Sequence, residues 1–179
     1  MGATDVLHFW FEETTPEQWW KVDPAFDAAV RERFSALLAE AAAGECFGWR
    51  TTPRGRLAEV IVLDQFPRNI HRGTAAAFAC DPMALVLAQE AVASGALAAL
   101  PPVERSFLLL PYMHSESRLI HALAEPLYRE HAPPANHDFE LRHKAIIDHF
   151  GRYPHRNAIL GRESTPAELE FLTQPGSSF

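Results

Sequence analysis

The sequence predicts an all-α protein, a single domain over residues 1–179 built of about seven to nine antiparallel helices. Three observations predict it. Apolar residues recur at spacings of three and four, the period of a helix buried on one face. The apolar/polar alternation of a half-buried strand never persists. A capping residue followed by proline recurs at Thr15-Pro16, Asp23-Pro24, Thr52-Pro53, Asp81-Pro82 and Thr165-Pro166. The cap oxygen satisfies an orphan amide of the first turn, and proline there gives up only an amide that has no partner anyway.

Val6, Phe9, Trp10 and Phe11 suit a first helix, and Thr15-Pro16-Glu17 opens a turn carrying Trp19 and Trp20. The helix from Asp23-Pro24 holds Phe26, Val30, Phe34, Leu37, Leu38 and Ala41 in register and closes at Gly44. The next, from Thr52-Pro53, carries Leu57, Val60, Ile61, Val62, Leu63 and Phe66. It is apolar nearly all round, so it is expected at the centre, with Pro67 as its stop. Thr74 and Asp81-Pro82 start two further segments, the second holding Met83, Leu85, Val86 and Leu87 and closing at Gly95. Pro101-Pro102 precedes Val103–Leu110, which Pro111 is expected to end or kink because its ring clashes with the preceding turn. Ser115–His131 reads as a helix with Leu119, Leu123 and Leu127 on one face and a break at Pro126. Pro133-Pro134 reads as a loop. Asp138–Phe150 follows, with Phe139, Ile146, Ile147 and Phe150 as its stripe and Gly151 at its end. Ser164-Thr165-Pro166 starts a last helix with Leu169, Phe171 and Leu172.

The 47% hydrophobic and 22% charged content is that of an ordinary globular chain. A net charge of −7 argues against nucleic acid and against an anionic membrane surface as partners. No apolar run reaches the ~18 residues of a membrane span, since Gln89, Glu90, Ser94 and Gly95 interrupt the Ala-rich stretch Ala84–Leu100. Cys46 and Cys80 have no CxxC spacing and fit a reducing cytoplasm. Asp5, Glu12 and Glu13 break the order of a signal peptide.

Three titratable groups fall on faces that the periodicity buries. Asp64 lies seven after Leu57, His114 seven after Phe107, and His143 between Phe139 and Ile146/Ile147. A buried charge without a partner costs several kcal/mol, so each must be paired, neutral or in a wet cleft. Four guanidiniums, Arg68, Arg72, Arg152 and Arg156, crowd two short loops of an acidic chain. Such forks suit a carboxylate or phosphate. The expectation is a polar cleft for a small anionic ligand, with hydrolase or lyase chemistry as the accompanying activity. Arg68, Arg152 and Arg156 would hold the anion, and Gln65, Asn69, Asn157 and His143 would add contacts. His114 or His155 would move protons, oriented by Asp64 or Glu116. No nucleophile elbow or nucleotide-binding loop is present. Glu140-Leu141-Arg142-His143 is a lone E-x-x-H, short of a di-iron set, so no metal or other cofactor is expected. The alternatives are a groove for a peptide or protein partner, and a purely structural network. In the latter Asp64 pairs with arginine, His143 is a satisfied core histidine, Ser115 caps the next helix, and Asn69 and Asn157 cap loops.

Leu63-Asp64-Gln65-Phe66-Pro67-Arg68-Asn69, Pro111-Tyr112-Met113-His114-Ser115-Glu116, Arg152-Tyr153-Pro154-His155-Arg156-Asn157 and Pro175-Gly176-Ser177-Ser178-Phe179 together resemble the bacterial uncharacterised family DUF924. Val6-Leu7-His8-Phe9-Trp10-Phe11 and Trp19-Trp20-Lys21-Val22-Asp23 fit it too. The resemblance implies an all-helical array similar to tetratricopeptide-repeat proteins and implies no established activity. The 34-residue repeat signature of such arrays is not visible in the chain. The resemblance also implies that the tail matters, so Phe179 is expected to dock onto the body.

Overall fold

The structure, a computed structural model, describes residues 1–179 and is helical throughout, with no strand. Eleven α-helices follow in order: α1 (Ala3–His8), α2 (Pro16–Trp20), α3 (Pro24–Ala42), α4 (Pro53–Asp64), α5 (Phe66–Ile70), α6 (Asp81–Ala93), α7 (Ala96–Ala99), α8 (Pro102–Met113), α9 (Arg118–His131), α10 (Pro134–Phe150) and α11 (Pro166–Leu172). The excess over seven to nine comes from single turns such as α5 and α7, too short to show a period.

Helix α4 is the hub. Every residue from Leu57 to Asp64 is buried, and α4 meets α1, α3, α6, α7, α8 and the 3-10 segment Glu45–Thr51. Thr52 caps it, its Oγ1 accepting from Gly55 N at 3.1 Å. Phe34 and Phe66 lie 4.6 Å apart, and Phe9 and Trp10 close the aromatic core against Phe34 and Phe107. Ala84, Ala88 and Ala91 of α6 present a stripe of small side chains that lets α6 approach α4 closely. The first turn of α4 is equally tight, since a Cβ on Gly55 would meet the Trp49 carbonyl oxygen at 2.0 Å. Gly55→Ala should therefore destabilise by about 1–3 kcal/mol, although alanine is the better helix former. Urea denaturation checks this, and an unchanged midpoint would contradict it.

Several expectations are corrected. The stretch Ala75–Ala93 does have the length and composition of a membrane span, with a mean hydropathy of 1.3. It is divided at Ala79-Cys80 between a 3-10 turn and α6, and α6 packs on α4. Pro67 does not stop the chain from coiling; it lies in the first turn of α5, where its missing amide loses nothing. Pro111 and Pro126 sit inside unbroken helices α8 and α9, which tertiary packing maintains. Ser117, not Ser115, caps α9, and Pro134 already belongs to α10. The α9 face is also different. Leu119 and Leu123 are exposed, and His121, Ala124 and Tyr128 face inward. On α10, Phe139 is exposed and Glu140 is buried with His143, Ile146 and Ile147. On α11, Leu169 is exposed and Glu168 buried, drawn in by its capping box with Thr165. These faces turn because α9 and α10 meet across a polar pair: His121 Nδ1 lies 2.7 Å from Glu140 Oε1, both side chains fully enclosed.

Candidate functional site

The last turn of α4, the single turn α5, the end of α8 and the turn Pro154–Arg156 converge on one polar cluster. Asp64, 1% exposed, accepts from Gln65 Nε2 at 2.6 Å and lies 2.8 Å from His114 Nδ1. Arg68 Nη1 donates to the Asp64 carbonyl at 2.6 Å, and its two terminal nitrogens grip Asp81 at 2.7 and 2.9 Å. Arg156 Nη1 donates to the His114 carbonyl at 3.0 Å and stands 3.8 Å from Asp81 Oδ2. Its guanidinium packs against the rings of Phe78 and Tyr153, 4.6 Å from each centroid. Arg156 is only 5% exposed, yet its Nε has no partner.

The electrostatics divide the cluster. Burial pushes the Asp64 carboxyl up, but His114 and Arg68 outweigh it and hold it at about 2. An ionised Asp64 only accepts, so the imidazole must donate Nδ1–H to it. Burial and the Arg68 charge lower the His114 pKa despite Asp64. With Nδ1–H committed to Asp64, Nε2 is the ring nitrogen left without a protein partner. Burial and the neighbouring Arg68 likewise lower the pKa of Arg156, which means that its positive charge is disfavoured where it sits. An imidazole with one open nitrogen thus stands beside a guanidinium with unused donors.

Three more rings adjoin the cluster. His143 Nδ1 donates to the Phe139 carbonyl at 2.7 Å, and burial lowers its pKa to about 3. Burial, then Arg156, lowers His155 to about 4. The phenyl of Phe179 rests 3.9 Å from the His143 centroid, 4.5 Å from His155 and 5.1 Å from Tyr153, so the tail does dock. Tyr153 is held from behind, its hydroxyl donating to the Met113 carbonyl at 2.5 Å and lying 3.1 Å from His121 Nε2.

The remaining expected site residues are engaged elsewhere. Asn69 Nδ2 and the Arg72 fork both bind Asp27, tying α5 to α3. Arg152 grips Glu168 at 2.6 and 2.7 Å and ties the end of α10 to α11. Asn157, fully buried, donates to Ser164 Oγ and accepts from Arg162 Nε, each at 3.0 Å. Glu116 binds the Arg162 fork and the Tyr153 amide, and these hold its carboxyl below the usual range against the effect of burial. Asn157, Glu116 and Arg162 frame the loop that presents Tyr153 and Arg156. The corrections share one cause: an internal carboxylate or hydroxyl stands within reach of each of these groups. Sequence reasoning missed Phe78, Tyr153, Arg162 and the His121–Glu140 pair. It also took Asp81 for a cap, whereas Cys80 occupies the cap position and Asp81 serves Arg68. The spacing His121–Ala124–Tyr128 was a usable signal for the inward face of α9; Arg162 had none.

No group of three or more His, Cys, Asp or Glu side chains is arranged to hold a metal ion. Two open grooves, one between α10 and α11 around Phe150 and Phe171, the other around Leu38, Pro67 and Ile70, are mainly apolar and exclude the cluster.

Comparison with known families matches residues 6–176 to the profile described as "Bacterial protein of unknown function (DUF924)". No curated protein matches. Among solved structures, a protein of unknown function from Agrobacterium tumefaciens superposes with a TM-score of 0.90 at 38% sequence identity, over 95% of this chain and 96% of that one. The arrangement of helices around α4 is therefore shared with a relative, and the chain belongs to the DUF924 family.

Proposed function

We propose that the cluster binds a small anionic ligand through Arg156, beside a His114–Asp64 pair competent as a general base. The observation that carries this reading is Arg156 itself. It is buried, makes one hydrogen bond, leaves Nε unpaired, and shares its nearest carboxylate with Arg68, which already holds it with both terminal nitrogens. A guanidinium kept in such a place is poised for an anion. His114 Nε2 would take a proton from water or from the ligand, which suits hydrolysis or elimination. The burial of Arg156 and Asp64 favours a small ligand over a peptide, since neither side chain lines an open groove. A cytoplasmic setting fits the two free cysteines.

Arg156→Met tests the reading. Asp81 keeps its grip on Arg68 in the variant, so an apolar chain of similar length should cost well under the ~3–5 kcal/mol of a broken buried pair. The same variant should lose the stabilisation that an anion gives wild type, about 2.7 kcal/mol at 100 times its dissociation constant. Severe unfolding of Arg156→Met, with the wild type indifferent to anions, would assign the arginine to scaffolding.

A further inference from the structure

We propose that the ring-lined seat now filled by Phe179 is the subsite for the apolar end of the ligand, and that the site takes an aromatic monocarboxylate. This rests on the anion reading above and names its ligand class.

The seat is built for a flat ring. His143, His155 and Tyr153 surround one phenyl at centroid distances of 3.9, 4.5 and 5.1 Å. Tilted and edge-on arrangements at such distances are the favourable ones for aromatic pairs. The occupant is held loosely. The tail is anchored at Ser177, which is buried and donates Oγ–H to the Leu172 carbonyl at 3.2 Å, and Gly176 turns the chain there with φ +79. Beyond that anchor only the Phe179 ring lies on the body, and it remains 53% exposed. A ligand ring can replace it without disturbing the fold.

The charge count sets the other end of the ligand. Arg68 and Arg156 are opposed by Asp64 and Asp81, and Arg68 takes Asp81 with both terminal nitrogens. Arg156 is left with a carboxylate oxygen at 3.8 Å. One undercompensated guanidinium fits one negative charge. A phosphate dianion would add a second next to Asp64 and Asp81, where like charges repel. The two ends are close enough for one small molecule, since Arg156 and Phe179 both rest on Tyr153, 4.6 and 5.1 Å from its centroid. A short arylalkanoate has that reach.

The test is a thermal-shift titration of the full chain with acetate, benzoate, phenylacetate, 3-phenylpropionate and inorganic phosphate, on wild type, Phe179→Ala and Arg156→Met. The expected result is that an aryl acid half-saturates wild type at a concentration at least about tenfold below acetate. Phe179→Ala should lower that concentration further, by a factor of at least about two, because it removes an intramolecular competitor for the seat. Arg156→Met should abolish the response. Aryl acids no better than acetate, or a Phe179→Ala variant that binds them no more tightly, would overturn the aromatic subsite. In that case an acetate or phosphate response lost in Arg156→Met would leave the anion reading standing. Loss of every Arg156-dependent response would remove both.

Discussion

Asp64→Ala is expected to cost about 3–5 kcal/mol of stability, the usual result of removing one partner from a buried ionic group. Asp64 accepts from Gln65 Nε2, orients His114, and stands 3.6 Å from Arg68 Nη1. Its removal leaves the Gln65 amide and the His114 Nδ1–H without an acceptor in a closed space, and Arg68 loses one of its two carboxylates. Asp64→Asn should be milder, since the amide oxygen still accepts from His114. Urea denaturation of the two variants checks the order. Equal, small losses would show that Asp64 is better solvated than its burial implies.

Acid should unfold the protein through its histidines. His143 at about 3 and His155 at about 4 lie far below the ~6.5 of an unfolded chain, and His114 is lowered as well. Between the folded and unfolded values the unfolded state binds protons that the folded state refuses, so stability rises with pH. Each such histidine contributes about 1.4 kcal/mol per pH unit, about 2 kcal/mol between pH 6.5 and 5. Asp64, held at about 2, adds to the loss at lower pH, as its carboxylate is protonated below the unfolded ~3.9. Glu140, which burial pushes above its ordinary 4.5, works the other way over a window above that value. The net expectation is a steep fall in stability below about pH 6.5. His143→Gln should flatten it by about 1.4 kcal/mol per pH unit. A wild type equally stable at pH 7 and 5, or an unchanged slope in the variant, would show that the seat is open to water.

The parts of the fold that were legible in the sequence are those that a helix dictates locally. The all-round apolar run Leu57–Leu63 required a central helix, and α4 is central. Asp64 and His114 stood in phase with buried stripes on separate helices, and they meet. What could not be read is which partner each charge finds, because that depends on loop paths and not on helical phase. Asp27 captures Arg72 and Asn69 across the α3–α5 contact, and Glu168 captures Arg152. Faces carried by polar residues were misread for a related reason. His121 and Glu140 are tolerable inside because they pair, one Glu140 oxygen being bonded to His121 and the other left without a partner, so neither residue alone looks buried. The four-residue spacing of Leu119 and Leu123 selects them for the core instead, and they face solvent.

We infer that Arg156 is held for an anion and not for the fold. Thermal stability of wild type and Arg156→Met, each titrated with phenylacetate at pH 7.5, tests it most directly. The expected result is a wild type that gains stability with ligand and a variant that starts close to wild type and gains none. A variant that begins several kcal/mol below wild type, or one that responds to the ligand as wild type does, would contradict it.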